Sequence, residues 1–258
     1  AYRIGVAKSC YKAINGQFDV YDSGVTESGE TIGHAVGAEL EPCTTYYVSV
    51  TIYGENGGED SAVVRFRTEL SAEDWKGYWT FMPLNSVGGS SLYRKNIVLP
   101  DEPVEEAFAY CAGIGCHELF VNGEKTDDRL FSPVNSDYEK RIYYTVYELT
   151  GQLVAGENVI GVELAPWWYG SKKLMFQLYV TLKNGETFEL HSSAGDGWWE
   201  RGGAVKECSI YDGEFCDGRA YDEFLPHWAS ADYRAGIESK WVLPIVSRGD
   251  SSILAPER

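Results

Sequence analysis

The chain has 258 residues, 44% hydrophobic and 24% charged, a balance ordinary for a globular protein with enough length to bury a core. Its 39 acidic and 22 basic residues give a formal charge of −17, which repels phosphate backbones and anionic lipid surfaces; with no basic stripe, nucleic acid is excluded as a partner. No apolar run approaches the roughly 20 residues of a membrane helix, so no membrane partner is expected.

At roughly 150 residues per domain the length predicts about two domains. Tyr2-Arg3-Ile4-Gly5-Val6-Ala7 alternates, and Thr45 to Tyr53 is rich in β-branched and aromatic residues. Ala62 to Thr68 follows the turn-forming stretch Gly54 to Asp60, so residues 1–70 read as a small β-sandwich. The order of these signals resembles a fibronectin type III module that starts late, without its first strand. The opening Ala1-Tyr2-Arg3-Ile4, with neither methionine nor a signal-like apolar run, reads as an internal start. The short polar stretch Leu70 to Trp75 is placed as the linker, giving a second domain at 71–258.

In that second part, strands are predicted at Ser91 to Leu99, Glu106 to Ala112, Glu118 to Gly123, Asn158 to Leu164 and Leu174 to Leu182, with a short helix at Thr145 to Leu153. Turn dipeptides such as Asn122-Gly123 and Asn184-Gly185 separate the runs, and helical periodicity is scarce. The fold class is therefore all-β: two β-sandwich domains, the second jelly-roll-like and of a carbohydrate-binding type. Six cysteines (Cys10, Cys43, Cys111, Cys116, Cys208, Cys216) are scattered through the chain, which favours free thiols and a reducing, cytoplasmic setting. Cys111 and Cys116 lack a second ligand pair at zinc-finger spacing, so no metal is assigned. His34, His117, His191 and His227 accompany no marked nucleophile, so no acyl-transfer triad is assigned.

Several motifs fall in a telling order. Tyr93-Arg94-Lys95 precedes an apolar strand; Ala112 to Gly123 (AGIGCHELFVNG), Ser132 to Tyr144 (SPVNSDYEKRIYY) and Gly156 to Val162 (GENVIGV) follow. Downstream stand Pro166-Trp167-Trp168-Tyr169-Gly170, then Ile210-Tyr211-Asp212-Gly213-Glu214 with Asp217-Gly218-Arg219, then Leu254-Ala255-Pro256-Glu257-Arg258. Together they resemble the amino-terminal region of bacterial α-L-rhamnosidases of glycoside hydrolase family 78 over nearly the whole chain. Trp167 replaces a usual glycine, and Cys216 and Gly218 stand where tyrosine and alanine are usual. The resemblance implies that catalysis belongs to a later α/α barrel of the same parent chain, which this sequence lacks. The expected function is a non-catalytic accessory region that supports that catalytic domain and grips a rhamnose-containing glycan. The alternatives are a glycoside hydrolase in its own right and a structural spacer without ligand.

The stretch Ser209 to Arg219 concentrates carboxylates and glycines. On an extended strand Asp212 and Glu214 would share one face with Cα atoms about 6.6 Å apart, a spacing that permits paired-carboxylate glycosidase chemistry but is common to every D-x-E strand. As a calcium loop it would offer the Cys216 thiol to a hard cation, so calcium stays only as an optional cofactor assembled from separate loops. The favoured reading is a structural acidic corner of Asp212, Glu214, Asp217 and Arg219, with Arg219 holding a partly buried carboxylate bidentately. For sugar, the candidates are Trp167, Trp168 and Tyr169 as a stacking surface, with Asn135 and Asp137 as hydroxyl partners. Trp198-Trp199 is a weaker alternative.

Overall fold

The computed structural model describes residues 1–30, 32–81, 88–167, 172–193, 195–220, 227–249 and 251–257. The chain divides into two compact units, Ala1–Asp74 and Trp75–Arg258.

In the first unit β1 (Tyr2–Ala7), the one-turn helix α1 (Cys10–Ile14), β2 (Tyr21–Asp22), β3 (Thr45–Tyr53) and β4 (Glu59–Arg67) follow in order. The strands form one antiparallel sheet in the order β2-β1-β3-β4. The strands bury Val6 and Tyr46 and the helix buries Ala13, and Ser9 caps α1 by accepting from the Lys12 amide at 3.3 Å.

The second unit is two facing sheets. Its strands are β5 (Trp79–Phe81), β6 (Ser91–Leu99), β7 (Val104–Ile114), β8 (Cys116–Val121), β9 (Glu124–Lys125), β10 (Ile142–Glu148), β11 (Gly156–Ala165), β12 (Lys173–Leu182) and β13 (Thr187–His191). Then come β14 (Trp199–Gly202), β15 (Val205–Ser209), β16 (Gly213–Cys216), β17 (Ile245–Ser247) and β18 (Leu254–Pro256). One sheet runs β17-β5-β12-β7-β10-β18, with β13 also on β12; the other runs β14-β6-β11-β8-β9. β15 and β16 form a separate hairpin, and every pairing is antiparallel except that of β18 with β10.

Period-two alternation explains the core. Tyr93, Ile97, Val162, Leu164 and Leu119 of the five-stranded sheet meet Cys111, Tyr147, Leu174, Phe176 and Leu178 of the other. The two quoted motifs FVNG and GENVIG are locked together by Asn122, whose side chain donates to Asn158 at 2.9 Å and accepts the Val159 amide at 2.8 Å. Asn122 takes the left-handed turn conformation (φ 54°), which asparagine tolerates.

A second, smaller core lies on the outer face of the five-stranded sheet. There Leu92 and Phe120 pack against Trp228, Ala229 and Trp241. Gly161 makes this possible: a Cβ at that position would fall 2.8 Å from both the Trp228 ring and the Ala229 methyl. Arg94 is fully buried here and donates to the carbonyls of Trp228 and Tyr233, the latter at 2.7 Å.

The all-β expectation holds. The helix expected at Thr145 to Leu153 does not form: Ile142–Glu148 is β10, paired with β7 in the middle of the sheet, and Leu149 starts a hydrogen-bonded turn. Its seven residues include three β-branched (Ile142, Thr145, Val146) and three tyrosines, a strand composition that the polar Thr-Glu content obscures.

Candidate functional site

The five-stranded sheet carries a cleft of about 320 Å³ on its outer face. Its floor comes from outward positions of β8 and β11. Glu118 and Glu163 are direct cross-strand partners, and Cys116 faces Ala165. The β15–β16 hairpin adds Val205 and Glu214 on one side, and Leu130 and Phe131 close another. Ser90 and His117 complete the lining; Ser90 is 2% exposed, and its hydroxyl lies against the Glu163 carboxyl.

Like charges directly opposite one another are unfavourable. Glu118 is relieved by the Lys125 ammonium at 2.5 Å. Burial pushes the Glu163 carboxyl above its ordinary value; a hydrogen bond from the Ser90 hydroxyl opposes this, and the charges of Glu118 and Glu214 add to the rise. The Cys116 thiol is driven to about 12, first by burial and then by its neighbours Cys208, Glu118 and Glu214, so it is an inert thiol at neutral pH. His117 points away from the floor into the core beside Tyr147 (ring centroids 6.0 Å); burial lowers its pKa to about 3 and keeps the imidazole neutral.

The Phe131 wall is held from below. Its backbone is left-handed (φ 56°), and the loop behind it is clamped by Glu257. That carboxylate accepts from the Val134 amide at 2.8 Å, from Thr145 Oγ1 at 3.1 Å and from the Ser132 hydroxyl. Phe131 is 68% exposed, with its ring 5.9 Å from that of Trp167.

Of the residues expected to bind sugar, Trp167 is therefore beside the cleft, half-buried, with an indole N–H that has no partner among the described residues. Trp168 and Tyr169 lie outside the described residues. Asn135 and Asp137 are exposed. Asp137 is engaged by its own loop: it accepts from the Glu139 amide at 3.2 Å and pairs with Lys140 at 2.8 Å, and the Lys140 hydrogen bond holds its carboxyl below the usual range. Trp198 is a core residue against Phe176 (5.5 Å).

The acidic corner resolves into two parts. Asp217 and Arg219 form the expected fork, at 2.8 Å and 2.7 Å, and this hydrogen bonding lowers the Asp217 carboxyl to about 2. Burial of that pair is not observed: the Arg219 side chain is 90% exposed, because Asp217 to Arg219 turn at the open edge of the hairpin. Asp212 sits in the turn between β15 and β16, so it does not share a strand face with Glu214. Glu214, on β16, is the member of the group that reaches the cleft. Among the described residues no three His, Cys, Asp or Glu side chains converge to hold a metal ion.

Sequence reasoning missed Glu118, Glu163, Ser90 and Phe131. The signal was present as a lone glutamate at an outward position of each of two apolar strands, HELFV and GVELA.

Residues 102–256 match the family described as the α-L-rhamnosidase N-terminal domain, and residues 1–72 match that described as the Rha78A-like N-terminal immunoglobulin domain. An α-L-rhamnosidase of Formosa agariphila is 28% identical over 93% of this chain and 29% of its own length. The solved α-L-rhamnosidase of Dictyoglumus thermophilum is similar at a TM-score of 0.86 and 27% identity, covering 99% of this chain and 31% of that one. The α-L-rhamnosidase of Aspergillus terreus, at a TM-score of 0.83 and 21% identity, shares the fold. The chain thus spans less than a third of the length of these relatives.

Proposed function

Because this chain belongs to the α-L-rhamnosidase N-terminal domain family, we propose that its parent hydrolyses α-L-rhamnosides and that these two units are the accessory region of that enzyme. The region is amino-terminal and non-catalytic. The observation that carries the proposal is coverage: nearly all of this chain aligns with less than a third of the Dictyoglumus thermophilum enzyme. In this reading the region supports a catalytic domain of the same chain and contacts the rhamnose-bearing glycan through the aromatic surface of Trp167 and Phe131. Rhamnose suits such a surface because it offers a methyl group and C–H faces to aromatic rings and vicinal hydroxyls to polar groups.

The rival reading, a glycosidase in its own right, needs two carboxylates whose environments separate an acid from a base. Asp212 and Glu214 are both exposed, on an open hairpin turn and strand, which gives neither of them such an environment. Deleting residues 1–258 from the parent tests the proposal. It predicts loss of thermal stability together with a higher KM for glycan than for an aryl rhamnoside. A deletion that leaves both unchanged refutes it.

A further inference from the structure

The outer edge of the first unit's sheet is long and open. β4 ends the order β2-β1-β3-β4, so no strand lies beyond it among the described residues. Its nine residues keep one unbroken register with β3, without a bulge, and Val64 is 60% exposed. Edge strands are usually kept short, bent or guarded by charge, because their outward backbone groups invite another strand.

The hydrogen-bonding parity of β4 is fixed at both ends. The Gly54 amide donates to the Gly58 carbonyl at 2.8 Å, and the Thr68 amide donates to the Thr44 carbonyl at 3.0 Å. Bonded pairs recur every second residue in an antiparallel ladder, so Asp60, Ala62, Val64 and Phe66 bond to β3. Glu59, Ser61, Val63, Arg65 and Arg67 therefore turn their backbone groups outward. This outward set is acidic where the strand begins and basic where it ends, with valine at its centre.

We propose that two copies of this chain associate through β4, antiparallel about a twofold axis at Val63, joining their four-stranded sheets edge to edge. Val63 then opposes its counterpart, Ser61 opposes Arg65 of the second copy, and Glu59 opposes Arg67 of the second copy. Symmetry forms the Glu59–Arg67 pair twice. Arg67 is already placed by its bond to Thr45 Oγ1 at 2.9 Å, and a guanidinium has donors to spare for a carboxylate. On the other face Ala62 meets Val64, which joins the exposed apolar surface of Val50 and Val64 in one copy to that of the next.

Charge selects this register, since like charges directly opposite are destabilising. In-register parallel pairing sets Glu59 on Glu59 and Arg65 on Arg65. An axis at Arg65 opposes that arginine with itself, and an axis at Val64 opposes Glu59 with Glu69. An axis at Ala62 keeps Glu59 on Arg65 but leaves Arg67 against Gly57, beyond the strand. A foreign strand is a poorer occupant because it would have to reproduce the same acidic-to-basic run, whereas β4 is its own complement. One strand pair buries less than the ~1,200 Å² of a stable interface, so the association is weak.

Sedimentation velocity and amide hydrogen exchange of the 258-residue chain, from about 1 μM to about 1 mM, test this. The expected result is a shift from monomer to dimer, with the Val63 amide slowing about tenfold when nine-tenths of the chain is paired. The Val64 amide, bonded to β3 in the monomer, should change little. Glu59→Arg and Arg67→Glu should each weaken dimerisation about tenfold or more, and their 1:1 mixture should restore it, because each copy supplies the charge that the other needs. The exchange map comes from the unsubstituted protein, so it decides the matter even where a variant folds poorly. A chain that stays monomeric to about 1 mM, or a dimer in which Val63 exchange does not slow, overturns the proposal. A mixture of the two folded variants that associates no better than either alone overturns the Glu59–Arg67 register on which it rests.

Discussion

Arg94 holds the segment 227–241 over the outer face of the five-stranded sheet, next to the cleft. Its guanidinium is fully buried, donates to the Trp228 and Tyr233 carbonyls and lies 5.6 Å from the Tyr233 ring centroid; burial lowers its pKa to about 10, leaving it charged at neutral pH. Arg94→Met keeps much of the volume but strands two carbonyls. Hydrogen bonds to charged groups contribute about 1.5–3 kcal/mol each and are not additive, so the expected cost is about 3–5 kcal/mol. For a unit of this size 1 kcal/mol moves Tm by about 2–4 °C, which predicts a drop of about 6–20 °C in the second unit's calorimetric transition. Arg94→Lys should recover less than half, because an ammonium lacks the fork that reaches both carbonyls. The comparison is Arg234→Ala, whose exposed side chain stands 3.8 Å from Glu157 and whose loss should cost about 0–1 kcal/mol. A drop in Arg94→Met no larger than that in Arg234→Ala refutes the assignment of Arg94 as the anchor.

Glu200 is fully buried near Tyr93, Ser91 and Lys172, and burial raises its carboxyl to about 7. A raised carboxylate pKa makes the folded state bind the proton more tightly, so this contribution to stability is complete below the unfolded value of 4.5 and is lost as pH rises through about 7. At about 1.4 kcal/mol per pH unit the loss is about 3 kcal/mol, and Glu200→Gln should flatten it and exceed the unsubstituted protein in stability above pH 8; an unchanged slope in denaturant titrations contradicts this. Arg219→Ala should shift Tm no more than Lys183→Ala, since its fork with Asp217 is open to water; a clearly larger drop would mean the pair is covered. Glu257→Ala should cost about 1–3 kcal/mol and speed hydrogen exchange at the Val134 amide, which Glu257 holds at 2.8 Å. Unchanged exchange there removes the clamp.

Much of the fold was legible because alternation is a strong signal wherever one face of a strand is buried. Thr45 to Tyr53, Ser91 to Leu99 and Leu174 to Leu182 coincide with β3, β6 and most of β12. The expected helix at Thr145 to Leu153 failed because a seven-residue strand running into a tight turn mixes polar and apolar residues much as a helix start does. The site was harder to read. Asp212, Glu214, Asp217 and Arg219 stood out because they are close in sequence, yet the hairpin turns three of them outward. Glu118 and Glu163 are 45 positions apart and meet only through the β8–β11 register, which one sequence does not print. Arg94 stood out in sequence only as part of the Tyr93-Arg94-Lys95 motif; its burial depends on the distant segment around Trp228 and Trp241.

Turnover of an aryl α-L-rhamnoside by the purified chain tests the central claim most directly. A non-catalytic accessory region predicts release of the aryl group at the rate of buffer alone, with the parent protein active in the same assay. Turnover by the isolated chain that disappears in Asp212→Asn or Glu214→Gln would contradict it.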